Sequence, residues 1–148
     1  MDAVINDCSA TLLARAYLDQ STRFALIVGT GINAAIHLPV TALGPDKLGH
    51  RPQSWHEKAK RVVINVELSM FGKSILVTTR WDEHLNATHL LPDFQPFEQL
   101  VGGRYLGEIV RLILVEAVQT AGLFHGDMPD NLLEPYSLDT ATMGIIEA

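Results

Sequence analysis

A short, uninterrupted apolar run that ends in glycines is the feature that most constrains the fold of this chain. Phe24–Val28 contains no polar residue and is closed by Gly29-Thr30-Gly31. Such a run is typical of a β-strand covered on both faces. Residues 33–38 are predicted as its antiparallel return, and the β-branched run at residues 62–66 predicts a third strand. The chain is therefore expected to contain a sheet.

The strongest helical pattern runs from residue 97 to residue 121, where apolar residues form a wide stripe at helical spacing. Gly102-Gly103 is expected to divide this segment into two helices, and Gly122 is expected to end it. Arg104 and Glu108 are four residues apart, which predicts an ion pair on the polar side.

Further helical patterns alternate with the strand candidates. One helix is predicted around residues 12–17, with Asp7 or Ser9 as its N-cap. Shorter helices are predicted at residues 82–88 and 138–147. Because helices and strands are intermixed, the predicted class is α/β, with helices around a mixed sheet.

The least regular part of the sequence is residues 39–60, which contain three prolines and two glycines. The stretch also carries a basic cluster at Lys58, Lys60 and Arg61, and its composition favours a surface loop with a helical turn. Residues 2–5 are expected to be the end of a strand.

Composition excludes several classes of protein. The 148 residues favour one domain, and 11 Lys and Arg against 17 Asp and Glu give a net charge of −6. That balance argues against a nucleic-acid partner. The single Cys8 excludes an internal disulfide framework and indicates a reducing compartment. No apolar run approaches the ~20 residues of a membrane span, and the histidines lack zinc-ligand spacing. We expect a cytoplasmic protein without a membrane or metal site.

Polar residues follow several of the apolar runs. Asn6-Asp7 follows the first, Gly29-Thr30-Gly31 and then Asn33 follow the second, and Glu67 follows the third. Amides and carboxylates together suit a polyhydroxylated ligand, because each hydroxyl both donates and accepts hydrogen bonds. Structural alternatives stay open: Asp7 as a helix cap, Glu67 as a solvated rim charge, and Glu98 as a complement to a helix dipole.

Four segments resemble the hexokinase family, including its fungal and its atypical regulatory members. Residues 6–12 (Asn-Asp-Cys-Ser-Ala-Thr-Leu) are similar to its Asn-Asp-Thr-Val-Gly/Ala-Thr-Leu/Met segment, and residues 27–34 contain its Gly-Thr-Gly-x-Asn-Ala segment. Residues 64–72 (Ile-Asn-Val-Glu-Leu-Ser-Met-Phe-Gly) parallel Ile-Asn-Thr-Glu-Trp-Gly-Ala-Phe-Gly. Residues 97–100 and 103–108 parallel Phe-Glu-Lys-x and Gly-x-Tyr-Leu-Gly-Glu. Their order and spacing are more specific than any one segment.

The resemblance implies the fold, the reaction and the roles of individual residues. The fold would be part of the large lobe of an actin-like, RNase H-like sugar kinase, which phosphorylates a hexose such as glucose at the 6-hydroxyl with ATP and Mg²⁺ and so feeds glycolysis. The implied general base is Asp7, the implied sugar ligands are Asn6, Asn33, Glu67 and Glu98, and the implied ATP phosphate contacts are Gly29, Thr30 and Gly31. No metal-ligating residue is implied.

Two departures from the family pattern limit this reading. The chain is much shorter than a typical hexokinase, so we expect segments needed for a complete site to be missing and the chain alone to be inactive. Leu68-Ser69 stands where Trp-Gly is usual, and Cys8 stands where Thr is usual. These changes leave open a non-catalytic regulatory or sugar-sensing protein, and an unrelated small binding module remains a third hypothesis.

Overall fold

The computed structural model describes residues 4–147. Helices α1 to α7 span Asp7–Leu18, Pro45–Leu48, Gln53–Lys58, Arg80–Thr88, Pro96–Val101, Gly103–Ala121 and Thr140–Glu147. Strands β1 to β3 span Phe24–Val28, Ile32–Pro39 and Arg61–Asn65. Single 3₁₀ turns lie at Val40–Ala42, Leu68–Met70, Leu123–Gly126 and Asp130–Leu132. The predicted α/β class is confirmed.

The described residues form two compact units. The first comprises the described part of Met1–Ile27 together with Asn33–Glu67, and the second comprises Val28–Ile32 and the described part of Leu68–Ala148. Each of the helices predicted around residues 12–17, 82–88 and 138–147 is present with bounds shifted by a few residues.

The three strands form an antiparallel sheet in the order β1-β2-β3. In the β2–β3 ladder Ala35 lies opposite Asn65 and Pro39 lies opposite Arg61. The three residues Gly29-Thr30-Gly31 connect β1 to β2, and the Gly29 amide donates to the Gly31 carbonyl at 2.9 Å. The predicted strand and its antiparallel return are therefore confirmed.

Strand β1 is covered on one face within the described residues, so the prediction that both of its faces are covered is wrong for this part of the chain. Phe24, Leu26 and Val28 are 54%, 47% and 63% exposed, whereas Ala25 and Ile27 pack against the core. Side chains alternate between the faces of a strand, and the apolar run alone does not show which face has a covering layer.

Helix α1 packs on the sheet in the first unit. Cys8 and Leu12 from the helix and Ala35 from β2 are fully buried at its core, and Val63 of β3 packs against them. These buried side chains anchor the first turn of α1 to the sheet, which fixes the position of the residues at the start of that helix.

The N-cap of α1 is Asn6, so the predictions of Asp7 or Ser9 at this position are wrong. Asn6 has extended backbone angles, φ −62° and ψ 144°, and its side chain accepts a hydrogen bond from the Cys8 amide at 2.9 Å. Asp7 is already the first helical residue, and Ser9 is buried within the first turn. Asn, Asp and Ser are comparable N-cap residues, so composition alone did not separate them.

Residues 39–60, predicted as a surface loop, contain the 3₁₀ turn Val40–Ala42 and the short helices α2 and α3. Pro45 opens α2, and Pro52 is the N-cap of α3. The predicted strand end at residues 2–5 lies partly outside the described residues, and residues 4 and 5 form no strand.

Helix α6 is the centre of the second unit and packs against α4, α5 and α7. Gly102 ends α5 and begins α6 with extended backbone angles, φ −70° and ψ 135°. Gly122 follows α6 with φ 70°, a left-handed conformation that favours glycine. The predicted break and the predicted stop are both confirmed.

A buried ion pair lies on α6 and replaces the predicted pair of Arg104 with Glu108. Arg111 Nε and Nη2 each donate to the Glu108 carboxylate at 2.7 Å. Arg111 Nη1 donates to the Leu132 carbonyl at 2.6 Å, and the Tyr136 amide donates to Glu108 at 2.6 Å. The predicted pair is wrong because Glu108 faces the interior of the unit, where the residues after α6 supply its further partners.

Candidate active site

The first unit contains a row of linked amide and carboxylate side chains, Asn6, Asn33, Asn65 and Glu67, which we call the amide–carboxylate row. Asn33 Nδ2 donates to Asn65 Oδ1 at 2.8 Å and approaches Asn6 Oδ1 at 3.5 Å. Asn65 Nδ2 in turn donates to Glu67 Oε1. Three sequence-predicted sugar ligands are therefore brought into one hydrogen-bonded row.

Local structure fixes both ends of the amide–carboxylate row. Asn6 is held as the N-cap of α1, and Asn33 Oδ1 accepts from the Ala34 amide at 2.8 Å. Glu67 follows β3 with φ 53°, a left-handed conformation that non-glycine residues rarely adopt and that recurs at functional sites. This conformation and the contact with Asn65 hold Glu67 in a defined position at the end of the row.

Asn65 is the member of the row that residue-by-residue prediction missed. It is the last residue of β3 and half-buried, and it is hydrogen-bonded to two predicted ligands. The sequence carried a signal, since Asn65 and Glu67 are two apart and alternate residues of a strand share a face. The Ile-Asn-x-Glu pattern also contains this asparagine.

Asp7 is exposed at the first turn of α1, and one of its carboxylate oxygens accepts from the Cys8 amide at 2.8 Å. The N-terminus of a helix carries a partial positive charge that favours a carboxylate there. Asp7 is therefore positioned as a charged acceptor directly beside the cap Asn6.

Cys8 serves the packing of the first unit. The residue is fully buried, and its thiol lies 3.6 Å from the Ala25 carbonyl. Burial raises the pKa of the Cys8 thiol above its ordinary value, and the negative charge of Asp7 raises it further. A thiol of this kind is a poor nucleophile.

The second unit contains a loop–helix cluster formed by Gly29-Thr30-Gly31, Glu98 and the start of α6. Glu98 on α5 is half-buried, and its Oε2 accepts from the Ile32 amide at 3.0 Å. A Cβ on Gly31 would collide with the Glu98 carboxylate. Glycine at position 31 thus has a packing reason, and Glu98 makes a specific long-range contact in addition to lying near a helix start.

Backbone amides at the start of α6 form hydrogen bonds to the same loop. The amides of Gly103 and Arg104 donate to the carbonyls of Gly29 and Thr30 at 2.7 Å and 3.0 Å. A Cβ on Gly103 would lie 2.9 Å from the Gly29 carbonyl oxygen, so glycine permits this close approach. These two amides of α6 are consequently engaged by the loop.

The loop itself leaves room at one position. A Cβ on Gly29 would meet no described atom within 4 Å, so packing does not require glycine there and the backbone at this position is open to close approach. The open space at Gly29 leaves room for a phosphate, whereas the Glu98 carboxylate against Gly31 disfavours an anion at that residue.

Among the side chains that the structure describes, no group of three His, Cys, Asp or Glu residues could hold a metal ion. Mg²⁺ commonly takes one or two carboxylates with the rest of its ligands from substrate phosphates and water. None of the helices in the same residues is long and apolar enough to cross a bilayer.

Comparisons with known proteins place the chain among hexokinases. The hexokinase family model matches residues 23–148. The chain is 36% identical over 147 residues to Hexokinase-2 of Oryza sativa subsp. japonica, covering 97% of this chain and 28% of that protein. It is 34% identical over 143 residues to Hexokinase-2, chloroplastic, of Nicotiana tabacum, covering 95% of this chain and 27% of that protein.

A solved structure agrees with these matches. The structure of a hexokinase from Schistosoma mansoni complexed with glucose superposes with a TM-score of 0.85 at 36% identity, covering 98% of this chain and 32% of that one. The chain thus spans less than a third of the length of these relatives. The family model, the curated relatives and the fold agree, and the chain belongs to the hexokinase family.

Proposed function

We propose that this chain supplies sugar-binding groups and the proton acceptor for ATP-dependent phosphorylation of a hexose at its 6-hydroxyl. The observation that carries the proposal is the amide–carboxylate row, which ends beside Asp7 at the start of α1. Phosphoryl transfer depends mainly on positioning and electrostatic stabilisation, and a fixed row of polar groups provides positioning.

The row is suited to sugar hydroxyls by its chemistry. Its amides offer both donors and acceptors, its carboxylate offers acceptors, and a hydroxyl needs one of each. The side chains already hold one another through hydrogen bonds of 2.8 Å and 3.5 Å, so little ordering is required when a sugar binds. A sugar lacking a matching hydroxyl leaves these groups unpaired, which penalises it strongly.

Asp7 is proposed to take the proton of the 6-hydroxyl as its oxygen attacks the terminal phosphorus. The O–H bond breaks toward the Asp7 carboxylate, and the leaving diphosphate departs as the new P–O bond forms. General-base assistance of this kind is typically worth ~10²–10⁴ in rate. ATP, with Mg²⁺ held largely by its phosphates, supplies the phosphoryl group when bound.

Glu98 and the Gly29–Gly31 loop take their proposed roles from the family resemblance. Glu98 is proposed as a further sugar ligand, and its contact with the Ile32 amide fixes one of its carboxylate oxygens. Gly29 and Thr30 are proposed to face ATP phosphates, supported by the open space around Gly29. Gly31 stays in the proposal as part of the loop, although its close contact with Glu98 is enough to explain why glycine occurs at this position.

We further propose that the reaction feeds glycolysis in the cytoplasm. Because one relative, from Nicotiana tabacum, is named as a chloroplastic form, the location needs a direct measurement. A fluorescent fusion of the complete polypeptide containing these residues, expressed in its native cells, tests it directly. Signal confined to an organelle would contradict the cytoplasmic location without bearing on the reaction.

The test of the proposal is a split between binding and turnover in a polypeptide that contains these residues. Asp7→Asn is expected to lower kcat at least ~10² with sugar affinity nearly unchanged, because the amide keeps the shape but cannot take the proton. Glu67→Ala and Glu98→Ala are expected to weaken sugar binding by about 1–3 kcal/mol each, since they leave hydroxyls unpaired. Glu57→Gln, a surface change in α3, is the matched control.

Calorimetry with glucose and a coupled assay with ATP give the two readouts. Unchanged kcat in Asp7→Asn would overturn the role of Asp7, and absence of sugar binding by the wild type would overturn the proposal. Sugar binding without turnover would support the regulatory alternative instead. The double variant Leu68→Trp with Ser69→Gly then tests whether these two departures from the family pattern are responsible for the missing turnover. Ser69 is buried, and its hydroxyl accepts a hydrogen bond from Gln95 at 3.2 Å.

A further inference from the structure

A cavity in the first unit uses none of the residues proposed for the sugar. Its volume is about 320 Å³, and it is bounded by α2, α3 and strand β3. Val62 and Ile64 of β3 form its apolar side, Val63 between them borders it, and Lys47, Arg51 and Trp55 lie around the remainder with two leucine side chains. A volume of this size is at the lower end of small-molecule sites.

The two charged groups that line this cavity are both cations. Among the side chains that the structure describes, Lys47 and Arg51 form no ion pair, and no acidic side chain lines the cavity. Residues 45–61 contain five Lys or Arg against two acidic residues, in a chain of net charge −6. Positive charge is therefore concentrated beside this cavity against the overall balance, which favours an anionic ligand.

The aromatic wall adds a second kind of recognition. The Arg51 guanidinium carbon lies 5.8 Å from the centre of the Trp55 ring, within the range of a cation–π contact. The Trp55 ring is half-buried, and an aromatic ring prefers offset or edge-on contact with another ring. An anion that also carries a flat apolar ring would use the cations, the indole and the β3 side chains at once.

We propose that this cavity binds a small aromatic anion, a single ring bearing a phosphate or carboxylate group, with Lys47 and Arg51 holding the charge and Trp55 holding the ring. Free aryl phosphates and carboxylates and the phosphorylated ring of a larger metabolite share this chemistry. The site is independent of the proposed function, so its failure and that of the sugar site are measured separately.

The test uses the 148-residue chain labelled with ¹⁵N and follows its two tryptophan indole N–H resonances. The probe is phenyl phosphate, with inorganic phosphate and benzyl alcohol supplying the charge and the ring separately. Trp81 is the internal reference, because its indole N–H is held by Glu116 at 2.9 Å in the second unit. We expect phenyl phosphate to shift the Trp55 resonance saturably, with each half-probe about tenfold weaker.

Two variants identify the groups responsible. Lys47→Gln with Arg51→Gln is expected to weaken phenyl phosphate binding at least about tenfold, and Lys73→Gln, which removes a lysine of the second unit, is expected to leave it unchanged. Both variants must keep the dispersed amide spectrum of the parent. Equal shifts of both tryptophans, no shift of Trp55, or unchanged affinity in the folded double variant would each overturn the proposal. Binding of inorganic phosphate as tight as phenyl phosphate would overturn the aromatic part.

Discussion

Removal of Arg111 should strongly destabilise the second unit, because it breaks a buried ion pair from one side. The side chains of Arg111 and Glu108 are only 9% and 7% exposed. Arg111→Met removes two hydrogen bonds to Glu108 and one to the Leu132 carbonyl. Glu108 is then left buried with the Tyr136 amide as its remaining partner. Breaking a buried pair from one side costs about 3–5 kcal/mol.

A matched exposed pair joins α4 to α6. Arg80 and Glu116 also form a two-pronged contact, but their side chains are 66% and 36% exposed. An exposed pair contributes about 0–1 kcal/mol, and the position of Arg80 over the Trp81 ring at 4.2 Å adds about 0.5–1 kcal/mol. Arg80→Met should therefore cost much less than Arg111→Met.

Urea unfolding at pH 7, followed by circular dichroism, measures both variants. A loss of about 3–5 kcal/mol corresponds to roughly 6–20 °C in Tm for a chain of this size. Should Arg111→Met leave no folded protein, Arg111→Lys is measured in its place, and an intermediate loss is expected because the charge remains without the two-pronged geometry. Equal losses in the Arg80 and buried-pair variants would refute the reasoning.

Three further outcomes are expected. Burial, and then two neighbouring arginines, lower the pKa of His37 below its ordinary value. The unfolded chain therefore binds a proton at a higher pH than the folded chain does, and the free energy of unfolding should fall as pH falls below about 6.5. Urea melts of the wild type and of His37→Gln, compared across this pH range, isolate the effect. Gly31→Ala, which drives a Cβ into Glu98, should cost about 1–3 kcal/mol, whereas Gly29→Ala should stay within about 0.5 kcal/mol in the same melts. The 148-residue chain alone should show no hexokinase turnover in a coupled assay, and rates near the typical ~10 s⁻¹ would contradict this.

Local signals in the sequence were sufficient for several elements. The apolar run Phe24–Val28 closed by glycines predicted β1 with its bounds, because the length of an apolar run and the glycines that end it are local signals. Gly102-Gly103 and Gly122 predicted the break before α6 and its end, since glycine acts through its own backbone freedom. The four family segments also predicted the family.

Only the tertiary structure decided the contacts between distant residues. Glu108 pairs with Arg111 rather than with Arg104 because residues 132 and 136 complete a buried hydrogen-bond network around this pair. Asn65 joined the amide–carboxylate row because the β2–β3 register brings it beside Asn33. Local spacing fixes which side chains share a face of one element, but burial and pairing depend on which other elements cover that face.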